Sequence, residues 1–105
     1  MSARKATEPA RPTAADCACR LRLWVSSAAP LSARAVVNTR AFCEAHMPGR
    51  YELEILSIAD NVQRATADEV IAAPTLLRVW PLPVRRFIGD MSNPDRLLDG
   101  LDLRS

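Results

Sequence analysis

The sequence predicts one α/β domain, a mixed four-stranded sheet with its elements in the order βαβαββα. Three observations carry this. A polar–apolar alternation, a helix-forming stretch and a second alternation follow one another over residues 20–58, the pattern of a βαβ unit with parallel strands. Two short apolar runs over residues 71–90 meet at Pro81-Leu82-Pro83 and are entered through Ala73-Pro74-Thr75, which reads as a hairpin. Ser92-Asn93-Pro94 then opens a last helix with a capping residue and a proline near its first turn. At 105 residues there is room for one core and no second domain.

Residues 1–18 hold Ala, Pro, Thr and charge without periodicity and are expected to be a disordered tail, with the domain over 19–105. Arg20-Leu21-Arg22-Leu23-Trp24-Val25 alternates and then turns apolar, as a strand entering the sheet centre does. Ser26-Ser27-Ala28-Ala29-Pro30 is a turn, and residues 31–46 continue as a helix that Pro48-Gly49 stops. Val36, Thr39, Cys43 and His46, flanked by Phe42, are its expected buried stripe, with Arg34, Asn38 and Arg40 opposite. Tyr51 to Ile58 alternates as the second strand. Asp60 to Glu69 is expected to be a short helix capped by Asp60 and Asn61, with Asp68 and Glu69 on its surface. Residues 75–79 and 84–88 are the hairpin strands. Residues 94–101 form the last helix, with Leu97, Leu98 and Leu101 as its apolar face. Proline cannot donate to a strand ladder, so Pro74 must precede the first hairpin strand, and Pro81 and Pro83 confine the turn. An X-Pro step directly before a strand, in this element order, is the signature of a thioredoxin-like core, and such steps are where cis bonds occur.

A formal charge of +2, with the basic residues dispersed along the chain, gives no case for nucleic acid. No apolar run is long enough to span a membrane. The N-terminus lacks the apolar core of a secretory signal, and three cysteines make an odd count for a disulfide scaffold. A reducing cytoplasm is therefore expected. Thioredoxin-type redox chemistry needs a cysteine at the end of the first strand, where the helix N-terminus stabilises a thiolate. Ser26-Ser27-Ala28-Ala29 stands there instead. Cys17 and Cys19 supply only two ligands where a structural zinc site wants four, and Cys43 reads as a small core residue. Three scattered glycines make no phosphate loop, and no nucleophile or carboxylate pair is matched to His46. Neither an enzyme nor a cofactor site is expected.

Between Arg20 and Leu103 the chain closely resembles the KaiB family. The shared words are Leu21-Arg22-Leu23-Trp24-Val25, Pro30-Leu31-Ser32-Ala33-Arg34-Ala35 and Pro48-Gly49-Arg50-Tyr51-Glu52-Leu53. Ala73-Pro74-Thr75-Leu76, the Pro81-to-Asp90 run and Gly100-Leu101-Asp102-Leu103 complete them. The resemblance implies a non-enzymatic regulator that binds a KaiC-type ATPase ring and modulates its phosphorylation or ATPase cycle, in a circadian, timer or stress system. A stand-alone adaptor for a histidine kinase, on a SasA-like pathway, is the alternative. It also implies self-association and a second packing of the C-terminal half, tetrameric, exchanging with the thioredoxin-like form. The resemblance places partner contacts at Asp60, Asn61, Val62 and Gln63 and at the basic positions Arg34, Arg85 and Arg86. Glu69 stands where a lysine is common, reversing a charge beside the docking helix. The balance between packings is implied at Gly100 and Asp102, and at Cys19, where relatives carry an aromatic residue. Pro74, Pro81 and Pro83 are the implied isomerising prolines.

Overall fold

The computed structural model describes residues 19–101 and Leu103; the predicted tail, Cys17 and Asp102 lie outside them. Strand β1 (Cys19–Val25) leads to helix α1 (Pro30–His46), β2 (Tyr51–Ser57), the short α2 (Val62–Ala67), β3 (Thr75–Trp80), β4 (Arg85–Ile88) and α3 (Pro94–Gly100). The sheet order is β2-β1-β3-β4. β1 is parallel to β2 and antiparallel to β3, and β3 is antiparallel to β4. The mixed four-stranded α/β fold expected from sequence is the one observed.

Alternation along β1 divides the molecule into two cores, because successive strand side chains point to opposite faces. Cys19, Leu21 and Leu23 join Ala35, Phe42 and Cys43 of α1, Leu76 of β3, Phe87 of β4, and Leu97 of α3 in the larger core. Trp24 faces the other way, into a small cluster with Leu56, Ala65 and Leu77. Helices α1 and α3 thus cover one sheet face, and α2 covers part of the other.

Several local expectations shift. The buried stripe of α1 is Ser32, Ala35, Thr39, Phe42 and Cys43; Val36 is half-buried and His46 exposed. The helix is rotated so that Met47, just past its end, closes the core in place of His46. Asn38 is not simply solvated: its Nδ2 donates to the Asp90 carbonyl at 2.8 Å. Helix α2 starts at Val62, later than expected. Asp60 does not cap it, and Asn61, at the cap position, turns its amide back to donate to the Ser57 carbonyl at 3.0 Å. The cap predicted for α3 is present, with Asn93 accepting from the Arg96 backbone N–H at 3.3 Å. The bonds before Pro74, Pro81 and Pro83 are all cis. Gly100 lies against the Phe87 ring, where an added Cβ would fall 2.3 Å from a ring carbon, so this close approach requires glycine.

Cys43 is fully buried. Desolvation, with Cys19 and Glu44 adding to it, pushes its thiol up from 9.0 to about 12. An unfolded chain releases that proton near 9 while the folded chain keeps it, so folding stability must fall as pH rises through the window between these values. The slope from this one group is at most about 1.4 kcal/mol per pH unit. Urea melts across this range should show Cys43→Ala flattening the alkaline loss of stability relative to the parent; an unchanged slope would place the titration elsewhere.

Candidate functional site

The site is built where β1 and β2 end side by side and their following helices depart to opposite faces of the sheet. Val25-Ser26-Ser27, the start of α1 and the Ser57-to-Asp60 segment line an open cleft there. The Ser26 backbone N–H donates to Ser32 Oγ at 3.0 Å, which fixes the turn into α1. No thiol occupies this junction, and among the described residues no group of three or more His, Cys, Asp or Glu is arranged to hold a metal.

Beside the cleft, Asp60, Asn61, Val62 and Gln63 form a shallow exposed surface with Ala59 and Arg64. Helix α2 is only six residues long and buries Ala65 alone, so packing and propensity give it little independent stability. Polar contacts supply what packing does not. Arg22 Nη1 on β1 donates to both Asp68 carboxylate oxygens at 3.0 and 2.9 Å. The Trp24 indole Nε1 donates to Asp68 Oδ2 at 2.8 Å. Arg64 makes a two-pronged contact with Glu54 on β2, both distances 3.0 Å. Arg22 Nε closes the chain of charges by donating to Glu54 at 3.4 Å. Its hydrogen bond from Arg64, with Arg22 nearby, holds the Glu54 carboxyl below its ordinary value. After the helix the backbone turns through Glu69 at φ 57, a left-handed conformation that disfavours a side chain. Arg86 of β4 meets that turn, donating to the Glu69 carbonyl at 2.9 Å and the Asp68 carbonyl at 3.1 Å.

The predicted residues therefore divide. Asp60 to Gln63, Glu69 and Arg86 gather around α2. Arg85 and Arg86 are neighbours on β4 and point to opposite faces. Arg34 is on α1 in the other layer, exposed, 3.8 Å from Asp90. Hydrogen bonding from Ser92, with a smaller contribution from Arg34, holds that Asp90 carboxyl below its usual value. Cys19 is buried at the start of β1, Pro74 is buried before β3, and Pro81 and Pro83 occupy the β3–β4 turn. Arg22, Trp24, Glu54, Arg64 and Asp68 were not anticipated as a unit. Of these, Asp68 was expected only as a surface residue of the short helix.

A thioredoxin-type sheet with its two parallel strands ending in a serine- and alanine-lined cleft defines a thioredoxin-fold domain without the thiol that does redox chemistry in that fold. Residues 22–103 match the KaiB domain family. The chain is 42% identical over 83 residues to the circadian clock oscillator protein KaiB of Synechococcus elongatus, covering 79% of this chain and 81% of that protein. It is 43% identical over 83 residues to the KaiB of Prochlorococcus marinus strain MIT 9313, covering 79% and 70% respectively. Among solved structures, the N-terminal domain of Synechococcus elongatus SasA superposes with a TM-score of 0.65 at 19% identity, covering 94% of this chain and 91% of that one. Mitochondrial thioredoxin 3 from Saccharomyces cerevisiae gives 0.67 at 15% identity over 82% and 78%. These last two establish the shared fold. The chain belongs to the KaiB family. No helix among its described residues is long and apolar enough to cross a membrane.

The two ion-pair groups should separate in a stability experiment. Arg22 is largely shielded, with 24% of its side chain exposed, whereas Arg64 and Glu54 are each at 46%. Arg22→Ala leaves the Asp68 carboxylate short of its guanidinium donor and should cost about 2 kcal/mol in urea unfolding. Arg64→Ala should cost much less, and molar salt should erase its effect. Equal costs would mean that the Asp68 contact is no better shielded than a surface pair.

Proposed function

We propose that this protein is a non-enzymatic regulator that binds a KaiC-type ATPase ring and modulates its phosphorylation or ATP turnover. Membership of the KaiB family supports the class of system. The observation that carries the reading is the Asp60-to-Gln63 surface at the C-terminal ends of the parallel strands, leading into a short helix that the sheet anchors through charge. Arg86 borders that surface, and a guanidinium suits carboxylate partners. Arg34 and Arg85, exposed on other parts of the domain, belong to the same proposal as secondary contacts. The domain assignment, with an N-terminal tail over 1–18 and the partner-binding unit over 19–105, goes with it. So does exchange with a second, self-associated packing governed by Cys19, Gly100, Asp102 and the three prolines.

Native mass spectrometry of the protein with its cognate KaiC-type ATPase and ATP tests this, alongside the protein alone. Ring-plus-subunit masses, up to one copy per ATPase protomer, are the expected result, and the free protein's mass reports its oligomeric state. No complex at tens of micromolar would remove the ATPase as partner and leave the adaptor for a histidine kinase. Reversing Arg85 and Arg86 to Glu together should weaken the complex about tenfold or more, because charge pairs across an interface turn repulsive. Unchanged affinity would take both residues out of the contact.

A further inference from the structure

We infer that Asp68 is the positioning residue of the docking surface, the single side chain that sets where helix α2 sits on the sheet; as a statement about partner binding this rests on the reading above. Two donors converge on its carboxylate: Arg22 Nη1, within hydrogen-bond distance of both oxygens, and the Trp24 indole. Both donors project from β1, which is paired on both sides and is the best-held strand of the sheet. The Asp68 main chain is held as well. Its carbonyl and that of Glu69 accept from Arg86 on edge strand β4. One residue thus ties the end of α2 to the sheet centre by its side chain and to the sheet edge by its backbone.

The alternatives for holding α2 are weak. The helix has no side-chain cap at its N-terminus and buries only Ala65. The Arg64–Glu54 pair is exposed and screened. The larger core contains no residue of α2 or its flanking turns, so loss of the Asp68 contacts leaves that core intact. Without them the C-terminal end of α2 keeps only Ala65 and the flanking Ile58 and Val70 on the small Trp24, Leu56 and Leu77 platform, so the helix can pivot about Asn61, which stays tied to the Ser57 carbonyl, and move Val62 and Gln63. Charge-assisted hydrogen bonds to a partly shielded carboxylate are strong enough to matter here. The carbonyl contacts of Arg86 follow, because their acceptors move with the turn.

The test uses the full chain labelled with nitrogen-15, as the parent, Asp68→Ala and Asp68→Asn. In the parent the Trp24 indole proton should be shifted by its charged acceptor and slow to exchange. In Asp68→Ala it should move, and exchange of this proton and of the amides over 62–67 should quicken about tenfold or more, while Leu23 and Leu76 keep their protection. Asp68→Asn retains an acceptor oxygen but not the charge, and should restore the indole signal in part. Binding to the ATPase ring should weaken about tenfold for Asp68→Ala, with Asp68→Asn between it and the parent. An indole proton and 62–67 amides unchanged in Asp68→Ala would overturn the inference. So would equal loss of protection at Leu23 and Leu76, which would make Asp68 a general stability residue. If the parent itself fails to bind the ATPase, the functional reading falls, and the exchange data alone still decide whether Asp68 positions α2.

Discussion

Everything in this molecule hangs on β1 being an interior strand with two different faces. Its backbone groups are committed on both sides, in parallel to β2 and in antiparallel to β3, so its position is not adjustable. Period-two alternation then sends Cys19, Leu21 and Leu23 into the larger core and Arg20, Arg22 and Trp24 to the opposite face. The first set needs helices over it, and α1 and α3 provide them. The second set mixes guanidinium and indole, which an apolar helix could not cover without stranding buried donors. What covers it is a short helix ending in a carboxylate. The polar character of α2's attachment is thus a consequence of which residues β1 presents.

A helix held by charge rather than by area has a particular mechanical character. The larger core supplies stability that any one-sided contact change leaves standing, whereas the α2 layer depends on a few directional bonds. Regions of this kind lie at the low end of local stability. They can be repositioned at modest cost while the rest of the fold is retained. Glu69, in a left-handed conformation that a side chain disfavours, sits at the junction and is met there by Arg86 from another strand. Local backbone strain held by a long-range contact is the arrangement expected where geometry has been selected for something other than stability.

The elements were legible because their signals are local. Alternation gave β1 and β2, the prolines bracketed the hairpin turn, and Asn93 announced the start of α3. The rotation of α1 was less legible: both Val36 and Ala35 fit a helical stripe, and only how the helix packs on the sheet decides between them. The same holds at its end, where His46 and Met47 compete for one space and the apolar side chain takes it. The Asp68 network escaped for a different reason. Arg22 and Asp68 are 46 residues apart, and no short-range pattern links them. One clue was available, since Arg22 and Trp24 share a face of a strand predicted to be central. A charge in that place requires a counter-ion from an element packed above it. The short helix expected over Asp60 to Glu69 carries three candidates, Asp60, Asp68 and Glu69. Choosing among them needed the fold.

The thioredoxin architecture explains why the proposed docking role and a first turn without a thiol fit together. In this sheet the cleft at the ends of β1 and β2 lies at a change in the side taken by the connecting helices, the position where open α/β sheets generally meet ligands. An oxidoreductase uses that position by placing a thiolate at the start of the helix. Here the turn is built from Ser26, Ser27, Ala28 and Ala29, and its polar contacts, Ser26 N–H to Ser32 Oγ, Ala28 N–H to Ser26 Oγ and Ala29 N–H to the Ser26 carbonyl, are spent internally on shaping the turn. In the proposed reading, recognition at the same end of the sheet is left to its rim, where Asp60 and Asn61 lead into a helix whose placement is set from beneath and whose first residues, Val62 and Gln63, are exposed. A fold that elsewhere presents a reacting atom presents in this chain a surface, and the residues that fix the surface are the ones that the central strand was obliged to find partners for.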